Sequence, residues 1–345
     1  MTDELDLLAA TAGDLFASVR RGDAPDESSG ALWKALDAQG MTRVSAPEPY
    51  GAGESIAFLA TLLQAAGRAA VSVPLIETHV ASSALAAAGG PDEGGATALA
   101  IDPALFDDTR PPAGHIAVYA AGLGERVVAL RADGIGARVD VWRWDRLGLE
   151  VSRNVAGEPV ALLDLAAAPE PEWSGELEVT AARSAAEIEV LGRALLLAGA
   201  GQRALDQTLE YVGQREQFGR TLAAFQSVQQ SVAIMASQVA AASVSGSAAV
   251  AVVANPAHDP DAARFCVLAC RAQADGMAAY VGRAAHQLHG AIGFTQEHSL
   301  RFATTRLAAW RAHVPLQADV EKMLGRLVVR SGEVWPLVTG FPNPR

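Results

Sequence analysis

The chain has 345 residues, half of them apolar and 6% aromatic, with 27 basic side chains against 39 acidic ones and a formal charge of −12. Much of the apolar content is alanine, which favours close-packed helices over a bulky aromatic core, and the length leaves room for two or three domains. The acidic balance excludes a general nucleic-acid or membrane-surface binder, so any anionic ligand needs local arginines.

Residues 1–95 read as an N-terminal helical domain. Leu5, Leu8, Leu15 and Phe16 mark a first amphipathic helix; Leu32, Trp33 and Leu36 sit in a second that ends near Gly40. The Pro/Gly stretch Pro47–Gly53 follows, then Ile56, Leu59, Leu62 and Leu63 in a helix that stops near Gly67. The opening Met-Thr-Asp-Glu-Leu-Asp has neither a basic nor an apolar signal region, so a cytoplasmic protein is expected. Residues 96–180 change texture. The runs 115–120, 126–131, 137–144, 159–165 and 176–180 are β-rich and separated by Gly122-Leu-Gly124 and Asp133-Gly134, which predicts a short antiparallel β-domain.

Helical periodicity returns over 181–330. Ile188, Leu191, Leu195 and Ala198 line one face, continued by Leu205, Leu209 and Val212; Val228, Val232, Met235 and Val239 do so for the next helix. Asp259-Pro260 supplies an N-cap followed by proline at the first turn. Further helices are predicted from Glu297 to Ala312 and from Glu321 to Val329. The fold class is therefore mainly α with a small β-domain: an N-terminal helical domain, the β-domain, and a C-terminal four- or five-helix bundle, with 331–345 as an extended tail. No charged residue occurs from Thr221 to His258, a span long enough for a bilayer. Its glutamines and serines make a helix buried in the bundle the expectation instead. Cys266 and Cys270 lie one helical turn apart and read as small buried hydrophobes. His286 and His289 have no carboxylate partner in sequence, so no metal is expected.

Two strings stand out in the C-terminal half. The first is Arg215-Glu-Gln-Phe218-Gly219, with Phe225-Gln226 beyond it. Its guanidinium can grip a pyrophosphate through two parallel hydrogen bonds, or simply serve as a cation past a helix C-terminus. The second is Gln287-Leu-His289-Gly290-Ala291-Ile-Gly293-Phe294-Thr-Gln-Glu297, where glycines allow a turn and close approach, or a plain C-cap. In order and position the pair resembles the C-terminal domain of acyl-CoA dehydrogenases, clearly over about 181–312 and weakly elsewhere. The resemblance implies FAD as cofactor and an acyl-CoA as substrate. It also implies that Arg215, Phe218, Gln226, Gln287, Gly290 and Ala291 contact FAD across a subunit interface, Ala291 standing where a glycine is usual.

The same resemblance implies a carboxylate base at one of two positions. One corresponds to Val314, which cannot serve. The other, 26 residues before Arg215, is Glu189, which reads either as that base or as a solvated charge early in its helix. The Thr-Glu-Pro-Gly-x-Gly-Ser-type loop that holds flavin in cis is replaced by Ala100-Ile-Asp102-Pro103-Ala-Leu-Phe106. The chain is thus similar to the short subunits of heteromeric, steroid-type acyl-CoA dehydrogenases. A sister subunit in a heterotetramer and an electron-transfer acceptor are the implied partners. A self-sufficient homo-oligomer using Glu189 and a non-catalytic scaffold subunit are the alternatives.

Overall fold

In the computed structural model of the chain, residues 2–18, 25–91, 94–134, 136–255, 257–295 and 297–339 are described. They fall into two compact units, Met1–Leu62 with Val71–Gly192, and Leu63–Ala70 with Arg193–Arg345.

The first unit opens with α1 (Thr2–Ser18) and α2 (Pro25–Ala38), and includes the first half of α3 (Ile56–Ala69) and then α4 (Leu75–Ala88). Phe16, Leu32, Leu36, Leu59 and Leu62 bury as the periodicity predicts. Helix α4 was not singled out by its pattern, because ten of its residues, polar and apolar alike, are buried and its apolar positions form no stripe. It lies against a seven-stranded sheet, and Thr78 Oγ1 accepts a hydrogen bond from the Thr97 amide at 3.1 Å.

That sheet comprises β1 (Thr97–Ile101), β2 (His115–Tyr119), β3 (Arg126–Ala132), β4 (Ala137–Arg143), β5 (Ser152–Arg153), β6 (Pro159–Asp164) and β7 (Trp173–Leu177). Short helices α5 (Pro103–Phe106) and α6 (Trp144–Leu147) follow β1 and β4. The strand order is β5-β6-β2-β1-β3-β4-β7. The expectation of a purely antiparallel sheet needs correcting, since β1 and β3 pair in parallel, Thr97 opposite Arg126 through Ile101 opposite Leu130. Strand β2 returns antiparallel beside β1, and the next turn carries the chain to the far side of β1, so β3 runs in β1's direction. One face buries Ala98, Ala100, Ile116, Val118, Val127 and Trp142. The last strand also lies earlier than its pattern suggested, because 179 already begins a helix. Asp140 is fully buried and held by Arg131 Nη1 at 2.6 Å, Arg138 and Ser174.

Helix α7 (Val179–Gln214) runs 36 residues, from the first unit into the second. After it come a hairpin of β8 (Glu216–Gln217) and β9 (Arg220–Thr221), then α8 (Gln226–Val253), α9 (Pro260–His289), α10 (Leu300–Arg311), α11 (Gln317–Ser331) and α12 (Val334–Thr339). The tail expected to be extended is helical over Val334–Thr339 and packs on α9 and α11; residues 340–345 lie outside the described residues. Within the second unit α3 crosses α7 at glycines: a Cβ on Gly199 would stand 2.3 Å from the Gln64 carbonyl oxygen, so only glycine permits the approach. Asp259 caps α9 through the Asp261 amide at 2.7 Å, with Pro260 at the first turn.

Helix α9 packs against α8, α10, α11 and α12. The expectation that α8 is buried in the bundle holds for one face only. Met235, Val239, Ala242, Gly246 and Ala249 are covered, whereas Val244 is 70% exposed, and 28% of its most apolar window is buried. By length and composition it is the one such helix among the described residues that could cross a membrane. Cys270 is buried, which pushes its thiol up to about 12, and Cys266 is half-buried; neither is in a disulfide.

A buried ion pair ties α9 to α10. Arg271 Nε reaches both Asp275 carboxylate oxygens at 3.0 and 3.1 Å with neither side chain exposed to solvent. Arg271 Nη2 donates to the carbonyls of Trp310, Arg311 and His313 at 3.2–3.4 Å, satisfying the end of α10. Burial raises the Asp275 pKa against the pull of Arg271.

Two outcomes follow from these buried groups. Asp275→Asn leaves the Arg271 charge uncompensated and should cost roughly 3 kcal/mol in urea unfolding; a loss below about 0.5 kcal/mol, the scale of a surface substitution, would contradict the pairing. His79 on α4 is buried, its Nδ1 has no partner among the described residues, and burial lowers its pKa from 6.5 to about 4. In that window the unfolded chain is protonated and the fold is not. This part of the stability is therefore present above pH 6.5 and is lost as the pH falls toward 4, by about 3 kcal/mol in all. His79→Leu should flatten the corresponding fall in Tm; an unchanged slope would show that His79 does not carry it.

Candidate cofactor-contact site

Helix α7 ends at Gln214 and the chain doubles back through β8 and β9. The turn residues Phe218 and Gly219 have φ of 55° and 75°, both in the left-handed region that a tight hairpin turn requires. Glycine adopts it freely; phenylalanine does so at a cost. The Phe218 ring gains little from the fold in return, being 93% exposed with one edge-on contact to Phe225 at 6.3 Å between centroids. At the root of the hairpin the Arg215 carbonyl accepts from the Leu222 amide at 2.8 Å. The Arg215 side chain is exposed and makes no hydrogen bond or ion pair with the described residues. Arg220 lies over the Phe225 ring, 4.0 Å from its centroid, and Phe225 caps α8 so that Gln226 is the first residue of that helix, with its amide side chain exposed.

The second string closes α9. Gln287, Gly290 and Ala291 are exposed, and Gly290 turns the chain with φ of 63°. Residues that sequence reasoning did not assign bring the two strings together. Tyr211, one turn before Arg215, stacks on His289 with ring centroids 4.4 Å apart, and His298 meets His289 edge-on at 4.9 Å. Gln207 Nε2 donates to Ser299 Oγ at 2.6 Å beside them. His289 Nδ1 donates to the Ala285 carbonyl at 2.8 Å, so Nε2 is unprotonated and inside the protein, and burial lowers the pKa of the ring. The spacing of Tyr211 to the arginine was the available signal; an aromatic on a buried helix face carries no mark of its partner.

Beside Gln287 a groove of about 480 Å3 opens between α9 and α10. Arg283, His286, Phe294, Thr304 and Arg311 line it, and no carboxylate does among the described residues.

In the first unit, the place where a flavin-holding loop was sought is filled by the chain itself. Asp102 caps α5: its carboxylate accepts from the Ala104 amide at 2.9 Å and the Ala113 amide at 3.2 Å. Leu105 and Phe106 are buried behind it. Glu189 lies about three turns into α7 and is 2% exposed, so its reading as a solvated charge of the first turns is corrected. Arg193, one turn further on, is buried too. Val314 follows His313, the last residue whose carbonyl Arg271 holds.

Comparison with known proteins agrees with this architecture. Residues 179–312 match the family model for the acyl-CoA dehydrogenase C-terminal domain. Acyl-CoA dehydrogenase IpdE2 of Mycobacterium tuberculosis is 31% identical over 343 residues, spanning 95% of this chain and 94% of that protein. Among solved structures, the ChsE4–ChsE5 complex from Mycobacterium tuberculosis superposes with a TM-score of 0.82 at 20% identity, covering 95% of this chain and 98% of the other. A variant of the steroid acyl-CoA dehydrogenase Tcur3481–Tcur3483 does so with 0.80 at 21% identity, over 96% and 99%. Butyryl-CoA dehydrogenase from Megasphaera elsdenii gives 0.71 at 15% identity, over 96% and 99%. The chain belongs to the acyl-CoA dehydrogenase family of oxidoreductases.

Proposed function

We propose that this chain is one subunit of a heteromeric acyl-CoA dehydrogenase and supplies FAD contacts across the interface to a sister subunit. The observation that carries this reading is a contrast between two surfaces. Arg215, Phe218, Gln226 and Gln287 all face solvent, without side-chain hydrogen bonds or ion pairs to the described residues, at strings held together through Tyr211 and His289. The position for a flavin-holding loop in the first unit is taken up by Asp102 and α5.

The residues present fit the outer parts of FAD. Arg215 would bind the pyrophosphate by charge-assisted hydrogen bonds, Gln226 and Gln287 would bind its polar atoms, Phe218 would cover an apolar face, and Gly290 and Ala291 would let the cofactor approach the backbone. FAD, when bound, would supply the hydride acceptor for α,β-desaturation of the acyl-CoA, with a carboxylate needed to take the α-proton and an electron-transfer acceptor needed to reoxidise the flavin. The loop at Val314 offers no carboxylate, so the sister subunit supplies the base in this reading. Bulky, steroid-like CoA thioesters are the substrate class favoured by the architecture shared with Tcur3481–Tcur3483.

In the assembled heteromer, Arg215→Ala should weaken FAD retention about ten- to hundredfold, read as flavin absorbance after dialysis, with Arg215→Lys intermediate. Flavin content equal to the parent in both variants would instead favour a scaffold subunit. A second reading, a self-sufficient enzyme, is favoured by the burial of Glu189 within α7. It requires that Glu189→Gln abolish dehydrogenation while flavin stays bound, and unchanged turnover would dismiss it.

A further inference from the structure

A separate cavity of about 650 Å3, the size of a small-ligand site, opens within the first unit where several strand ends meet. Strands β1 and β3 run parallel and both start there, and Arg143 at the end of β4 pairs with Arg126 at the start of β3. Asp102 and α5 follow β1 at the opposite end of the sheet, so this is not the position where a flavin-holding loop was sought. Glycine at 94, 95, 122 and 124 leaves backbone rather than side chains facing the space. The two loops press together so closely that a Cβ on Gly124 would stand 2.0 Å from the Ala96 carbonyl oxygen. Both are pinned. The buried Arg126 donates through Nη2 to the Gly94 carbonyl at 2.7 Å, and the Trp144 amide donates to the Glu125 carbonyl at 2.8 Å.

The side chains that line this preformed space carry separated charges. On the α2 wall Lys34 is exposed and makes no hydrogen bond or ion pair with the described residues. The half-buried Trp33 ring beside it has no stacking or hydrogen-bond partner among them. On the strand wall Arg143 is paired with Asp145, Nε to Oδ1 at 3.2 Å; that bond raises the Arg143 pKa, with smaller contributions from Glu172 and Glu125. Those two glutamates are exposed, near Arg143, and without a side-chain hydrogen bond or ion pair to the described residues. The cavity therefore holds one cation and two carboxylates that do not neutralise one another, beside an indole face. A phosphate would meet the two glutamates, and a plain diamine would meet Lys34. A ligand with two cationic groups and one carboxylate complements all three charges, and its aliphatic stem suits the indole.

We propose that this cavity binds a free basic amino acid of the lysine type, with two cationic groups and a carboxylate on a short stem. Lys34 would take the carboxylate, Glu125 and Glu172 the two cations, and Trp33 would cover the stem. The proposal is independent of the cofactor reading, since every residue it uses is in the first unit and none belongs to the flavin motifs.

The test is calorimetric titration of the full chain with L-lysine, beside two analogues that each lack one charge. L-Lysine should bind with a Kd of about 1 mM or tighter. Norleucine lacks the side-chain ammonium and cadaverine lacks the carboxylate, and each should bind at least about tenfold more weakly. Lys34→Ala and Glu172→Gln should each weaken L-lysine by about the same factor. Both residues are on the surface, so the variants should fold as the parent does, which circular dichroism checks. A weaker Kd for L-lysine, equal affinity for either analogue, or parental affinity in either variant overturns the proposal. The flavin measurement on Arg215→Ala reads the other unit, so neither result decides the other.

Discussion

The guanidinium of Arg271 is the fixed point of the helical half. It is wholly buried, paired with Asp275 one turn along α9, and it satisfies three carbonyls where α10 ends. A charge so placed is tolerated because Nε and Nη2 make these contacts, Nη1 having no partner among the described residues, so the geometry of the pair admits little slack. The consequence is a set angle between α9 and α10, and with it the groove and the loop through Val314. Helix α9 transmits the same constraint outward, since it packs on α8, α10, α11 and α12 and ends in the glycine turn of the second motif.

The molecule divides its chemistry unevenly. At the end of α7 the fold maintains a costly arrangement, a phenylalanine at positive φ with its ring in solvent and an arginine whose side chain has no partner among the described residues. Strain and exposed apolar surface of this kind persist where something outside the chain repays them. At the turn after β1 the reverse holds. Asp102 and α5 satisfy their own hydrogen bonds and bury their own side chains. A subunit that gives contacts to a cofactor held elsewhere accounts for both ends of that contrast.

How much was legible in the sequence follows from the kind of signal each part emits. The long helices showed themselves because one face is apolar and the other is not, and Asp259-Pro260 announced the start of α9 by its own local chemistry. Helix α4 and strand β1 are buried on all sides, so neither periodicity survives in them. The parallel pairing of β1 with β3 depends on where a turn leads the chain, which no local pattern records. The motif residues Arg215, Gln226 and Gln287 were readable as a set because their spacing is distinctive. Tyr211 and His289, which bring the strings together, were not, since a stack between helices far apart in sequence is a tertiary fact. The open face of α8 and the helical tail were missed for the same reason: alanine-rich and Pro/Gly-containing segments look alike whether covered or not.

The most direct measurement is the flavin content and solution mass of the chain purified alone and then with its sister subunit. The account predicts a colourless protein by itself and FAD bound in proportion to the heteromer once the two are combined. A stable, active homo-oligomer of this chain carrying one FAD per subunit would contradict it.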